Sequence, residues 1–96
     1  MDEPWDPVKA QQNLRKHGVS FEEAETVEED ELRFSEPDIA HSHTETRYRV
    51  IGTSVKLRIL LVTCTFRAGR MRPISARRAT KRERYEYLRG TRRPPR

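Results

Sequence analysis

A single cysteine, Cys64, is the first scarcity in this 96-residue chain. One thiol excludes an internal disulfide and a thiolate metal cluster. It stands in the most apolar run of the sequence, where a thiol behaves as a small buried hydrophobe. Aromatic residues are only 7% of the chain, which speaks against a stacking platform of the kind that general single-strand-binding domains use. No apolar run approaches the length needed to span a membrane. The opening "MDEPWDP" is acidic and has no apolar core, so it does not read as a signal peptide. The chain therefore reads as soluble and cytoplasmic, with no membrane partner. A glycine-rich phosphate loop is missing, as are Ser/His/Asp and Cys/His groupings. His41 and His43 form H-x-H without a third ligand at sensible spacing, so no metal and no cofactor are expected.

What is present is charge, unevenly placed. Residues 1–46 carry 4 basic and 13 acidic side chains, a balance of −9, and residues 47–96 carry 16 basic and 2 acidic, a balance of +14. That asymmetry points to a polyanionic partner for the second half, with part of the charge cancelled where the halves pack together. The length fits one domain, expected over residues 1–90, followed by a basic disordered tail over 91–96. Val, Ile, Leu and Phe number 19, a small core, but six of them fall within "LRILLVTCTF" and favour a folded sheet.

Asp6-Pro7 offers a helix an N-cap carboxylate and a first-turn proline, and Gly18 closes it. Ala10 and Leu14 share one face of that helix, while Lys9, Asn13 and Lys16 form a polar stripe. Ser20 and Glu23 make a capping box for a short second helix, with Val19 and Ala24 as its staple and Phe21, Ala24 and Val27 as its apolar face. "ELRFSEP" predicts a brief strand and "DIAHSHTET" a loop. Three strands follow, 47–51, 57–66 and 70–75, with turns at 52–54 and 68–69, so an antiparallel meander is expected. A final helix starts near Thr80, boxed by Thr80 and Glu83; Tyr85 and Leu88 are expected to face the sheet and Gly90 to end it. The class is α+β.

In that frame "WDPVKAQQNLRKHGVSFEEA" resembles the opening signature of the BrnT toxins, and "HSHTETRY", "IG", "TFR" and "ISARRATKRERYEY" match in order and spacing over residues 5–90. The resemblance implies a RelE-like fold with two N-terminal helices, a sheet of about four antiparallel strands and a C-terminal helix. It implies a metal-independent ribonuclease that inhibits translation by cutting mRNA, at the ribosome or away from it. It also implies a DNA-binding antitoxin of the BrnA type, through which alone the toxin would reach operator DNA, in a dimer or a toxin–antitoxin hetero-oligomer. Three positions depart from the family pattern: Glu28 replaces an aromatic, Phe66 an acidic residue and Pro73 an aliphatic one. A proline donates no ladder hydrogen bond, so its strand should be an edge or carry an irregularity.

RNA is cut without a metal when the ribose 2′-OH attacks the adjacent phosphate and leaves a 2′,3′-cyclic phosphate. Arginine suits phosphate binding and charge stabilisation, because its planar fork pairs with two oxygens and stays ionised. Arg67, Arg72 and Arg77, all within family motifs, are the phosphate candidates, and the meander is expected to converge them around one phosphodiester. His17, at a helix C-terminus, and Glu45, in the E-x-R motif with Arg47, are the proton-transfer candidates; a capping histidine and an arginine-paired glutamate are the alternatives. Lys9, Lys16, Arg47 and Tyr85 are further RNA-contact candidates. A decayed toxin that still binds its antitoxin or RNA is the competing reading, and a general basic RNA-binding domain a third.

Overall fold

The computed structural model describes residues 4–91. Helix α1 spans Pro7–His17; Asp6 Oδ1 accepts from the Val8 amide at 2.8 Å, and Gly18, at φ 68°, closes the helix with its amide donating to Leu14 O. The start and stop signals therefore act as read. Helix α2 covers Phe21–Glu25 and runs into a 3-10 turn over Thr26–Glu29. Its box is only half formed. Ser20 Oγ accepts from the Glu23 amide at 3.0 Å, but the Glu23 side chain turns inward to Ser54 and Arg58 instead of back to Ser20. Arg58 and Ser54 hold that buried carboxyl below its ordinary range against the opposing effect of burial.

Strands β1 (Phe34–Pro37), β2 (Tyr48–Thr53), β3 (Ile59–Arg67) and β4 (Arg70–Arg78) form one sheet in the order β1-β2-β3-β4, every neighbour antiparallel. The expected loop between β1 and β2 contains one 3-10 turn, Ile39–His41. Gly52, expected in a turn, lies inside β2, where a Cβ would sit 3.2 Å from Val27 Cβ and 3.3 Å from Asp30 Oδ2. The glycine permits a close approach of the strand to the turn that follows α2. The β3–β4 hairpin turns at Ala68 (φ 51°) and Gly69 (φ 76°), the left-handed pair that matches strand twist. β4 is an edge strand, and its register shifts opposite Thr63/Cys64, leaving Ile74 unpaired beside Pro73. The proline thus sits where both an edge and a bulge accommodate it.

Side chains alternate across a strand, so register decides which share a face. Val50, Leu60, Val62, Cys64, Met71 and Ala76 lie on one face and pack against Val19, Ala24 and Val27 as the core. Full burial of each larger side chain there contributes roughly 1.5–3 kcal/mol. Asn13, read as part of a polar stripe, is instead buried: its Nδ2 donates to Val19 O at 2.9 Å and Ala76 O at 2.8 Å, and its Oδ1 accepts from the Ala76 amide at 3.0 Å. The carboxamide gives the free edge of β4 the donor–acceptor pair that another strand would give. Leu14, on the helix face it shares with Ala10, is 51% exposed.

Helix α3 runs Lys81–Thr91, so Gly90 does not end it. Its box is complete: the Glu83 amide donates to Thr80 Oγ1 at 3.2 Å and the Thr80 amide to Glu83 Oε1 at 2.8 Å. Tyr85 and Leu88 are largely exposed, and among the described residues of this helix Tyr87 is the buried one. Its hydroxyl donates to Asp30 Oδ2 and lies 3.1 Å from Thr53 Oγ1. The tail expected over 91–96 lies outside the described residues, apart from the backbone of Thr91.

Candidate functional site

The sheet face opposite the core carries the arginines. One cross-strand row reads Glu36, Arg49, Thr63, Ser75; the next reads Phe34, Ile51, Leu61, Arg77; beyond the bulge, Arg72 stands opposite Thr65. Arg67 ends β3 on that face, two residues after Thr65. Arg77 and Arg78, beyond the strand expected over 70–75, are the last two residues of β4.

Two arginine forks of this face are each held by a glutamate, while Arg49 Nη1 donates to Glu36 Oε1 and Arg70 Nε to Glu25 Oε2, both at 3.4 Å. In the first, Arg67 Nε and Nη2 donate to Glu45 Oε2 and Oε1 at 3.2 and 3.1 Å. This fork holds the Glu45 carboxyl below its usual range, with the charges of Arg67 and then Arg72 adding to the effect. Arg67, Arg70 and Arg72 line a cleft of about 620 Å³ closed on its other side by Pro4, Trp5, Asp6 and Pro7, the approach to α1. Trp5 is anchored there edge-on against Phe21, centroids 5.9 Å apart.

In the second pair, Arg77 Nη1 and Nη2 donate to Glu83 Oε1 and Oε2 at 2.7 and 3.0 Å, and Arg49 Nη2 lies 3.6 Å from the same carboxylate. Arg77, chiefly, and the Thr80 amide hold Glu83 down to about 2 despite partial burial. The capping acid of α3 is therefore also the arginine clamp. Arg49 and Glu83 were not singled out from sequence as site residues. The pairing of Glu83 with Thr80 was legible, but its reach to the sheet was not.

The structure does not bring His17 to the first pair. Gly18 O accepts from Arg58 Nη2 at 3.1 Å, so the end of α1 lies beside the start of β3. Arg67 is nine residues further along that strand, about 30 Å away at the strand rise. Lys9 and Lys16 are exposed on α1, and Tyr85 is 65% exposed on α3. Arg47 is half-buried; its amide donates to Ser42 Oγ at 2.9 Å and its carbonyl accepts from the Asp38 amide at 2.7 Å, which fixes the loop bearing Glu45. His41 Nδ1 lies 3.0 Å from Asp38 Oδ2.

The family assignment rests on a comparison over most of the chain. A family model described as "Ribonuclease toxin, BrnT, of type II toxin-antitoxin system" matches residues 5–83. The chain belongs to this family. No curated protein sequence matches it significantly. For a BrnT chain the expected substrate is RNA and the expected partner an antitoxin. Both arginine pairs fall within the matched residues. Of the three departures from the family pattern, Phe66 packs edge-on against Tyr48 at 5.4 Å, Pro73 occupies the bulge, and Glu28 points inward, with a buried Oε1 that has no hydrogen-bond partner among the described residues. Burial, and then the charge of Glu28, push the Cys64 thiol up to about 12, so it stays protonated. No helix among the described residues is long and apolar enough to cross a membrane.

Proposed function

We propose that this protein is a metal-independent endoribonuclease of RelE-like fold that cuts mRNA in the cytoplasm and so inhibits translation. A DNA-binding antitoxin of the BrnA type neutralises it in a hetero-oligomer and carries it to their operator. One observation carries the catalytic part: the Arg67 fork on Glu45, with Arg72 beside it, in an open cleft. A carboxylate and two guanidinium groups are the parts that 2′-OH transfer requires. The Arg67 and Arg72 guanidinium groups take the non-bridging phosphate oxygens and stabilise the added negative charge. Glu45, released from the fork, accepts the 2′-OH proton. The 2′ oxygen bonds to phosphorus, the bond to the 5′ oxygen breaks, and that oxygen takes up a proton from solvent water in the open cleft. The products are a 2′,3′-cyclic phosphate and a 5′-hydroxyl end. His17 is assigned no role here, because it ends α1 at the far side of the fold.

The test is direct. Purified protein with EDTA is expected to cleave RNA and leave cyclic-phosphate ends. Abolition of cleavage by EDTA, with recovery on adding a divalent cation, would remove the metal-independent mechanism. A second reading, a toxin that binds but no longer cuts, draws on the stranded Glu28 oxygen in the layer that supports β3. It predicts RNA binding without products at any enzyme concentration.

A further inference from the structure

Arg77 lies well along the sheet from Arg72, and Arg49 stands two strands across from it. On β4 five residues separate Arg72 from Arg77, about 16 Å at the strand rise, a length that a few nucleotides span. Glu83 and the neighbouring Arg49 line a groove of about 950 Å³ between α3 and strands β1 and β2, with Arg77 behind Glu83 and outside the lining. Arg49 and Glu83 stand on one wall, and Leu32, Phe34 and Ile51 provide apolar surface. Phe34 is 54% exposed and is the cross-strand neighbour of Ile51, on the same face as Arg49 and Arg77.

We propose that this groove is a second RNA subsite: Arg49 takes a phosphate flanking the cleaved one, beside the Glu83–Arg77 pair, and the adjacent base lies on Phe34. Glu83 already offers Arg49 an anion there, 3.6 Å away, and so competes with that phosphate. Its two oxygens already engage the Arg77 fork as two phosphate oxygens would, with Arg49 nearby and the amino end of α3 behind it. The rim holds four arginines and four glutamates, so loss of one glutamate charge tips the groove positive. The subsite extends the ribonuclease reading and rests on it.

The experiment uses a short single-stranded oligonucleotide with 2′-O-methyl groups throughout, which binds but has no nucleophile. Affinity is measured over a range of salt for the full chain and three variants. Glu83→Gln, which keeps the capping hydrogen bond, is expected to bind about threefold to tenfold tighter, with a steeper salt dependence. Arg49→Gln leaves the α3 cap untouched; it is expected to bind several-fold weaker, with a salt slope lower by roughly 0.7. Phe34→Leu is expected to weaken binding about fivefold or more without changing that slope. Circular dichroism and melting temperature confirm that each variant is folded. If Arg49→Gln and Phe34→Leu are folded, cut natural RNA and bind the oligonucleotide as the parent does, the subsite is refuted and the groove serves another class of partner. If the parent neither binds nor cuts RNA, the ribonuclease reading falls and the subsite with it.

Discussion

The two arginine pairs are chemically alike and physically unlike. In each, one glutamate holds an arginine fork and lies in the field of a second arginine. The Glu45 carboxylate sits on a loop with its side chain 37% exposed, and its Arg67 partner is 57% exposed. Glu83 is 17% exposed, is fixed by its own helix cap, and makes shorter bonds to Arg77. An ion pair in water is worth little and is readily exchanged for another anion; a half-buried, hydrogen-bonded one resists exchange and orders its surroundings. The first pair is thus suited to open for a reacting phosphate. The second is suited to position a strand and fasten a helix.

The largest effect should come from removing Glu45, the proposed base. Glu45→Gln is expected to lower the cleavage rate by about 10²–10⁴-fold while RNA affinity holds or rises. Cleavage within twofold of the parent would mean that Glu45 only neutralises Arg67. Next in size is the support of the β4 edge beside Arg77. Asn13→Ala leaves the Val19 and Ala76 carbonyls and the Ala76 amide without their partner, and is expected to destabilise the fold by about 3 kcal/mol in urea titration. A loss under about 1 kcal/mol would show that the edge of β4 does not depend on α1.

Much of this was legible beforehand. Asp6, Pro7 and Gly18 bounded α1, Ser20 opened α2, and Thr80 with Glu83 opened α3, because caps are local chemistry. Alternating apolar residues and turn signals gave the meander, and Pro73 gave the irregular edge. What escaped was set by tertiary contact. Asn13 looked like a solvated stripe, since nothing local says that its amide meets an edge strand 63 residues away. Tyr87, not Tyr85 or Leu88, faces the sheet because Asp30 and Thr53 offer its hydroxyl a partner there. Arg67 and Arg77 carry the same motif signal, and only the register shows that they belong to separate pairs.

A smaller difference separates the pairs in stability. Arg77→Ala is expected to cost about 1–2 kcal/mol, because it leaves a half-buried Glu83 without its main partner, and Arg67→Ala under about 0.5 kcal/mol. Equal losses would erase the contrast. Acid gives the smallest and most specific signal. Glu83 is depressed from an ordinary 4.5 to about 2, so its contribution is complete above the ordinary value and is lost as pH falls toward 2. The near-ultraviolet signal of Tyr87, on the helix that Glu83 anchors, should therefore change between about pH 4.5 and 2 in the parent. Glu83→Gln should flatten that transition, and an identical transition in the variant would contradict the assignment.

The most direct measurement is the cleavage rate of the Arg67→Ala, Arg72→Ala double variant beside that of Arg49→Ala, with the same RNA in EDTA. The double variant should be folded and slower by at least about 10³-fold, and Arg49→Ala should retain cleavage with weaker RNA binding. A folded double variant that cuts at the parental rate would show that the phosphodiester is broken somewhere other than the cleft between α1 and the β3–β4 hairpin.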